Sequence, residues 1–121
     1  MLSEKQLKLA KNEPKEFLQQ YAFLRIRAES KLKRANFWQD CNLGREYCKA
    51  CFTEAKNLIM LESDISKLIA QADISEQFKT FLYLRYIECQ TINEIAETLG
   101  YTKRWCQCIQ VKALDAFAQA I

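Results

Sequence analysis

The sequence predicts an all-α protein, with an N-terminal long-helix hairpin over residues 1–72 followed by a unit of three short helices over residues 73–121. Three observations predict it. Apolar residues recur at three- and four-residue steps through most of the chain, the spacing of one helical face. Two glycines and one proline leave little material for turns. Capping signatures stand where the periodic segments begin.

Ser3 to Gln6 can cap a first short helix, and Pro14, tolerated in a first turn, opens a second. From Pro14 the apolar residues Phe17, Leu18, Tyr21, Leu24, Ala28, Leu32 and Ala35 mark one face of a helix reaching the Asn36 region. Its other face is basic: Arg25, Arg27, Lys31, Lys33 and Arg34 stand against one acidic residue, Glu29. Such a face suits phosphates, an acidic partner or plain water. Residues 36–44 (NFWQDCNLG) have the polar and glycine content of a turn, a continuous or kinked helix being the alternative, with Trp38 closing the end of the hairpin. A long helix from Arg45 to Gln71 follows, its face carrying Cys48, Cys51, Ala55, Leu58, Ile65 and Ile69. Two long helices with a short connection pack as an antiparallel hairpin. The same seam also has the spacing of a coiled-coil dimer. Residues 72–75 end the long helix, and Ser75 or Asp73 caps a segment running from Glu76 to Glu88.

The last third reads as a helix-turn-helix. Thr91 and Glu94 form a capping box in front of Ile92, Ile95, Ala96 and Leu99. Gly100 can take the positive φ that stops this helix, and Thr102 caps the next. In that next helix Cys106, Ile109, Ala113, Leu114 and Phe117 face inward. Lys103, Arg104, Gln107 and Gln110 face outward, with Cys108 at the margin. The N-terminal part of the second helix of such a motif enters the major groove, where glutamine suits adenine and arginine or lysine suits guanine or phosphate.

The stretch LYLRYIECQTINEIAETLGYTKRWCQCIQVKAL resembles region 4 of sigma-70-type factors. The likeness runs through Leu82, Arg85, Tyr86, Glu94, Ile95, Ala96, Leu99, Gly100, Thr102, Ile109, Lys112, Ala113 and Leu114. It covers the last third of the chain. With a helical region in front of it, the whole is similar to small phage or prophage proteins of Firmicutes that carry such a C-terminus. The resemblance implies groove-facing roles for Lys103, Arg104, Gln107 and Cys108, and Thr102, as the cap, and Gln110, as an outward residue of the same helix, complete the expected DNA-binding set. Cys106 stands where isoleucine or valine is usual, and Cys108 where a long polar reader is common.

Composition narrows the function classes. The chain has no histidine, which removes the commonest general base and zinc ligand. No paired-carboxylate site or glycine-rich phosphate loop is written in it, so it reads as a binding protein without a cofactor, not an enzyme. Neither a membrane-spanning run nor an apolar leader is present, and a cytoplasmic protein is expected. Six cysteines then read as reduced thiols. Cys41, Cys48 and Cys51 share one helical face, and core packing explains them with fewer assumptions than a metal site or a redox switch. Trp105 follows the two basic residues of the reading helix, where it can meet a backbone sugar or a protein partner, or else pack on the N-terminal helices.

Charge qualifies DNA binding. From Ser75 onward five basic residues meet five acidic ones, so the net +3 resides in the first 74 residues. A neutral helix-turn-helix binds weakly as a monomer, and a homodimer compensates by presenting two half-sites. The expected function is therefore a phage- or mobile-element-type transcription regulator that reads double-stranded DNA with the helix opening at Lys103. The alternative is a protein-binding modulator on the same scaffold: an RNA polymerase-associated factor, or an inhibitor of a host enzyme or defence nuclease such as an anti-CRISPR. The basic stretch Arg25–Arg34 favours DNA if it lies beside Lys103 and Arg104, and a protein partner if it does not.

Overall fold

The computed structural model describes residues 2–41 and 44–121, and among them every regular element is helical. They are α1 (Glu4–Asn12), α2 (Pro14–Gln20), α3 (Leu24–Asp40), α4 (Arg45–Gln71), α5 (Glu76–Leu82), α6 (Ile92–Leu99) and α7 (Lys103–Ala120). A π-helical turn, Tyr83–Ile87, continues α5.

The local start signals operate as their chemistry requires. The Ser3 hydroxyl accepts from the Gln6 amide at 3.3 Å while the Gln6 side chain accepts from the Ser3 amide at 2.9 Å, and Pro14 opens α2. Ser75, not Asp73, caps α5 through the Phe78 amide. α4 spans the full stretch that its periodicity marks out.

The segment from Pro14 differs from the single helix expected of it. Its helix stops at Gln20 and restarts at Leu24, across Phe23, whose φ is +61°. The Tyr21 and Ala22 amides bond back only three residues, to the Leu18 and Gln19 carbonyls, which tightens and ends the turn. Two burial demands pull the segment apart: Phe17 and Leu18 join the C-terminal core, while Leu24, Ala28 and Ala35 turn to α4. α3 then runs on to Asp40, into the stretch whose composition suits a turn, and there Trp38 packs against Tyr47 of α4. Asn42 and Leu43 of that expected turn lie outside the described residues.

α3 and α4 run antiparallel. Arg25 meets Glu62 at 2.7 Å, Lys31 meets Glu54 at 2.8 Å, and Trp38 meets Tyr47 with ring centroids 5.8 Å apart, so the partners converge on the connecting loop. Their seam is made of small residues, Ala28 and Ala35 with Cys48, Cys51 and Ala55. In this structure the seam is filled within one chain.

A larger core lies at the other end of α4. Phe17 and Leu18 of α2, Ile65 and Ile69 of α4, Phe81 and Leu82 of α5, Ile95 of α6, and Cys106, Ile109 and Phe117 of α7 meet there. Phe17, Phe81 and Phe117 are completely buried, each contributing about 1.5–3 kcal/mol. This core draws on both sides of Ala72, and it fixes α7 against α1, α2, α5 and α6. The distal part of the α3–α4 pair, with its Ala and Cys seam, contributes nothing to it.

Candidate nucleic-acid interface

The C-terminal surface is built from three backbone devices in sequence. First, the Thr91 hydroxyl accepts from the Glu94 amide at 3.2 Å and the Glu94 carboxylate accepts from the Thr91 amide at 3.4 Å, which closes the start of α6. Gly100, at φ +73°, then lets the Tyr101 amide reach the Ala96 carbonyl at 3.0 Å and end that helix. Finally, the Thr102 hydroxyl accepts from the Trp105 amide at 3.1 Å and opens α7. Only two residues separate the helix end at Leu99 and its glycine from Lys103, so the direction of α7 is set by local hydrogen bonds.

Burial orients α7. Cys106, Ile109, Ala113, Leu114 and Phe117 are buried, as their spacing requires. Lys103, Arg104, Gln107 and Cys108 are exposed on the first two turns, Thr102 precedes them with its hydroxyl engaged in the cap, and Gln110 is half-buried. Trp105 is 46% exposed, with Lys112 Nζ 5.8 Å from its ring centroid. A cation over an indole face is mildly attractive and holds the ring outward. Tyr101 and Val111 are also exposed, so this surface mixes cations with apolar side chains.

Two supports of this region were not readable in the sequence. Gln77 Nε2 of α5 donates to the Tyr101 hydroxyl at 3.2 Å, pinning the turn between α6 and α7. Arg85 Nη1 donates to the Gln90 carbonyl at 2.9 Å, tying the π-helical turn to the loop ahead of α6. Arg85 Nε, the Tyr86 hydroxyl and Gln90 Oε1 are buried there without a partner among the described residues. Burial raises the Tyr86 phenol above its ordinary range and likewise the Cys106 thiol.

The basic stretch on α3 divides. Arg25 is held by Glu62 and Glu88, at 2.7 and 3.0 Å, and its pKa is raised, first by the Glu62 hydrogen bond and then by those to Tyr83 and Glu88. Lys31 is raised by its bond to Glu54. Arg27, Lys33 and Arg34 point to solvent with no ion pair among the described residues. α3 packs along α4, whereas α7 packs on α5, α6, α1 and α2, so the two sets of cations are carried by separate parts of the molecule.

The cysteines distribute by burial. Cys48, Cys51 and Cys106 are core residues, Cys89 is half-buried, and Cys41 and Cys108 are exposed, so Cys41 departs from the buried face that its spacing suggested. No group of three or more metal-ligating side chains occurs among the described residues, nor is any described helix long and apolar enough to cross a membrane. Comparison with protein-family models, with curated proteins and with solved structures finds no match for the chain.

Proposed function

We propose that this chain is a DNA-binding transcription regulator of phage or mobile-element type, in which α6 and α7 act as a helix-turn-helix of the sigma region 4 kind and the start of α7 enters the major groove. One observation carries the reading. Lys103, Arg104, Gln107 and Cys108 project together from the first two turns of a helix whose origin is fixed by Gly100 and Thr102. Arg104 and Gln107 are the base readers, Lys103 meets phosphate, and the Thr102 hydroxyl serves the helix start. The reading is that of a binding protein, with no catalytic group and no cofactor. Because the C-terminal third is electrically neutral, two copies are needed for tight binding.

A titration of the protein onto pooled genomic fragments at two salt concentrations tests it. Salt-sensitive binding that disappears in the Lys103→Ala/Arg104→Ala variant is the expected result. Absence of binding by the folded wild-type protein overturns it.

A specific observation favours the second reading, a protein-binding modulator on the same scaffold. Tyr101, Trp105 and Val111 expose apolar surface beside the cations, and the free arginines of α3 are carried by a different helix pair. RNA polymerase, a host enzyme or a defence nuclease would then be the partner. In that case Trp105→Ala abolishes capture of the partner, while Gln107→Ala leaves it intact.

A further inference from the structure

The outer stripe of α7 is complementary to itself. Arg104, Cys108, Val111 and Asp115 follow one another at four-, three- and four-residue steps, the spacing of a helix–helix seam. At 100° per residue they fall within an arc of about 60°, opposite the buried row of Cys106, Ile109, Ala113 and Phe117. All four are exposed, Val111 by 61%. Arg104 and Asp115 carry opposite charges at the two ends of the stripe, and neither is in an ion pair among the described residues. Between them stand two small apolar side chains, which let a second helix approach to about 8 Å. Trp105 and Lys112, both exposed, run along one edge.

The stripe is also symmetric about its own middle. Arg104 and Asp115 lie equally far on either side of the midpoint between Ile109 and Gln110, and so do Cys108 and Val111. An isologous contact requires such a patch, one that matches itself when turned over.

We propose that α7 pairs antiparallel with α7 of a second copy of this chain, about a two-fold axis that crosses the helix between Ile109 and Gln110. Each Arg104 then meets Asp115 of the other copy, each Cys108 packs on its Val111, and each Trp105 comes beside its Lys112. Within one chain Lys112 Nζ already lies 5.8 Å from the Trp105 ring centroid, and the same cation–π attraction is available across the pair. Charge fixes the direction. A parallel pair would set Arg104 on Arg104 and Asp115 on Asp115, with the two Lys112 side chains on matching levels. From Arg104 to Asp115 the stripe is about 17 Å long, on a helix about 10 Å across. That is small beside the about 800 Å2 per partner of a standard interface, so the dimer is weak and reversible. The paired face contains Arg104 and borders Gln107, and it cannot meet a second copy and the major groove at once. The dimer is therefore a DNA-free form that withholds the reading helix. This consequence rests on the DNA reading, whereas the contact does not.

Sedimentation equilibrium of the full chain without DNA, from micromolar to millimolar concentration, tests the proposal. Wild type is expected to pass from one chain mass to two over that range. Arg104→Asp and Asp115→Arg are each expected to dissociate at least about tenfold more readily, because each sets like charges at both ends of the seam. The exchanged variant Arg104→Asp/Asp115→Arg is expected to recover the wild-type dimer, which a merely structural effect of either substitution would not allow. Val111→Lys, a substitution at an exposed site, is expected to give monomers while circular dichroism stays helical. A wild type that is monomeric at millimolar concentration overturns the proposal, as do single charge variants that dimerise like wild type. A wild type that dimerises yet binds no pooled genomic fragments sustains this contact while defeating the DNA reading, and a monomeric wild type that binds them does the reverse.

Discussion

The Phe23 amide donates a hydrogen bond to Cys89 Sγ at 3.1 Å, and among the described residues these two are the non-glycine positions with positive φ, +61° and +57°. One ends the break between α2 and α3; the other follows the π-helical turn after α5. The bond crosses 66 positions of sequence and joins the base of the α3–α4 pair to the C-terminal core.

Left-handed backbone costs a non-glycine residue roughly 1–2 kcal/mol. Phe23 is half exposed, and glycine relieves the strain while adding unfolded-chain entropy, so Phe23→Gly is expected to raise stability by up to about 1 kcal/mol. Cys89→Ala removes the acceptor of the Phe23 amide and is expected to lower it by about 1 kcal/mol. Urea denaturation of both variants measures these opposite signs.

The caps around the candidate interface are expected to act locally. Thr91→Ala and Thr102→Ala should each cost about 1 kcal/mol. A methyl group at Gly100 meets nothing within 4 Å, so the cost of Gly100→Ala, about 1 kcal/mol, comes from its φ of +73° alone. Thermal melts would check all three, and a Gly100→Ala variant as stable as wild type would contradict the strained-turn account.

The buried Tyr86 hydroxyl has no partner among the described residues. Tyr86→Phe is expected to be neutral or stabilising by up to about 1 kcal/mol, against a loss of about 3–5 kcal/mol for Phe81→Ala in the same core.

Alkaline pH should separate Tyr86 and Cys106 from the rest. Burial raises both groups, from ordinary values of 10.0 and 9.0. The folded state therefore holds these protons more tightly than the unfolded chain. Their stabilisation is complete below the ordinary values and is lost as pH rises through the raised ones. Stability is expected to fall from about pH 9 upward, and less steeply in Tyr86→Phe and Cys106→Val. Denaturation midpoints across that range check the slope.

If α7 reads DNA, Arg104→Ala and Gln107→Ala should each weaken specific binding by about 1–3 kcal/mol. Lys103→Ala should weaken binding to all sequences alike and flatten the salt dependence. Fluorescence anisotropy on a selected site and on random DNA distinguishes the two effects.

What the sequence determined by itself was everything settled within a few residues of chain. The helical class, the extent of α4, the capping boxes at Ser3 and Thr91, the stop at Gly100 and the buried stripe of α7 follow from spacing and from side chains that bond their own backbone. The outward set Lys103, Arg104, Gln107 and Cys108 was legible for the same reason, since 3.6 residues per turn decides which side chains oppose the core. Tertiary structure alone decided the rest. Tyr21, Ala22 and Phe23 contain no glycine or proline, so nothing local announced the break that divides α2 from α3. It arises from two competing burial sites. Arg25, one of five like cations in its stretch, is singled out by carboxylates 37 and 63 positions away. The separation of the α3 cations from α7 follows from which helices pack together. Periodicity describes a face, and packing chooses what that face meets.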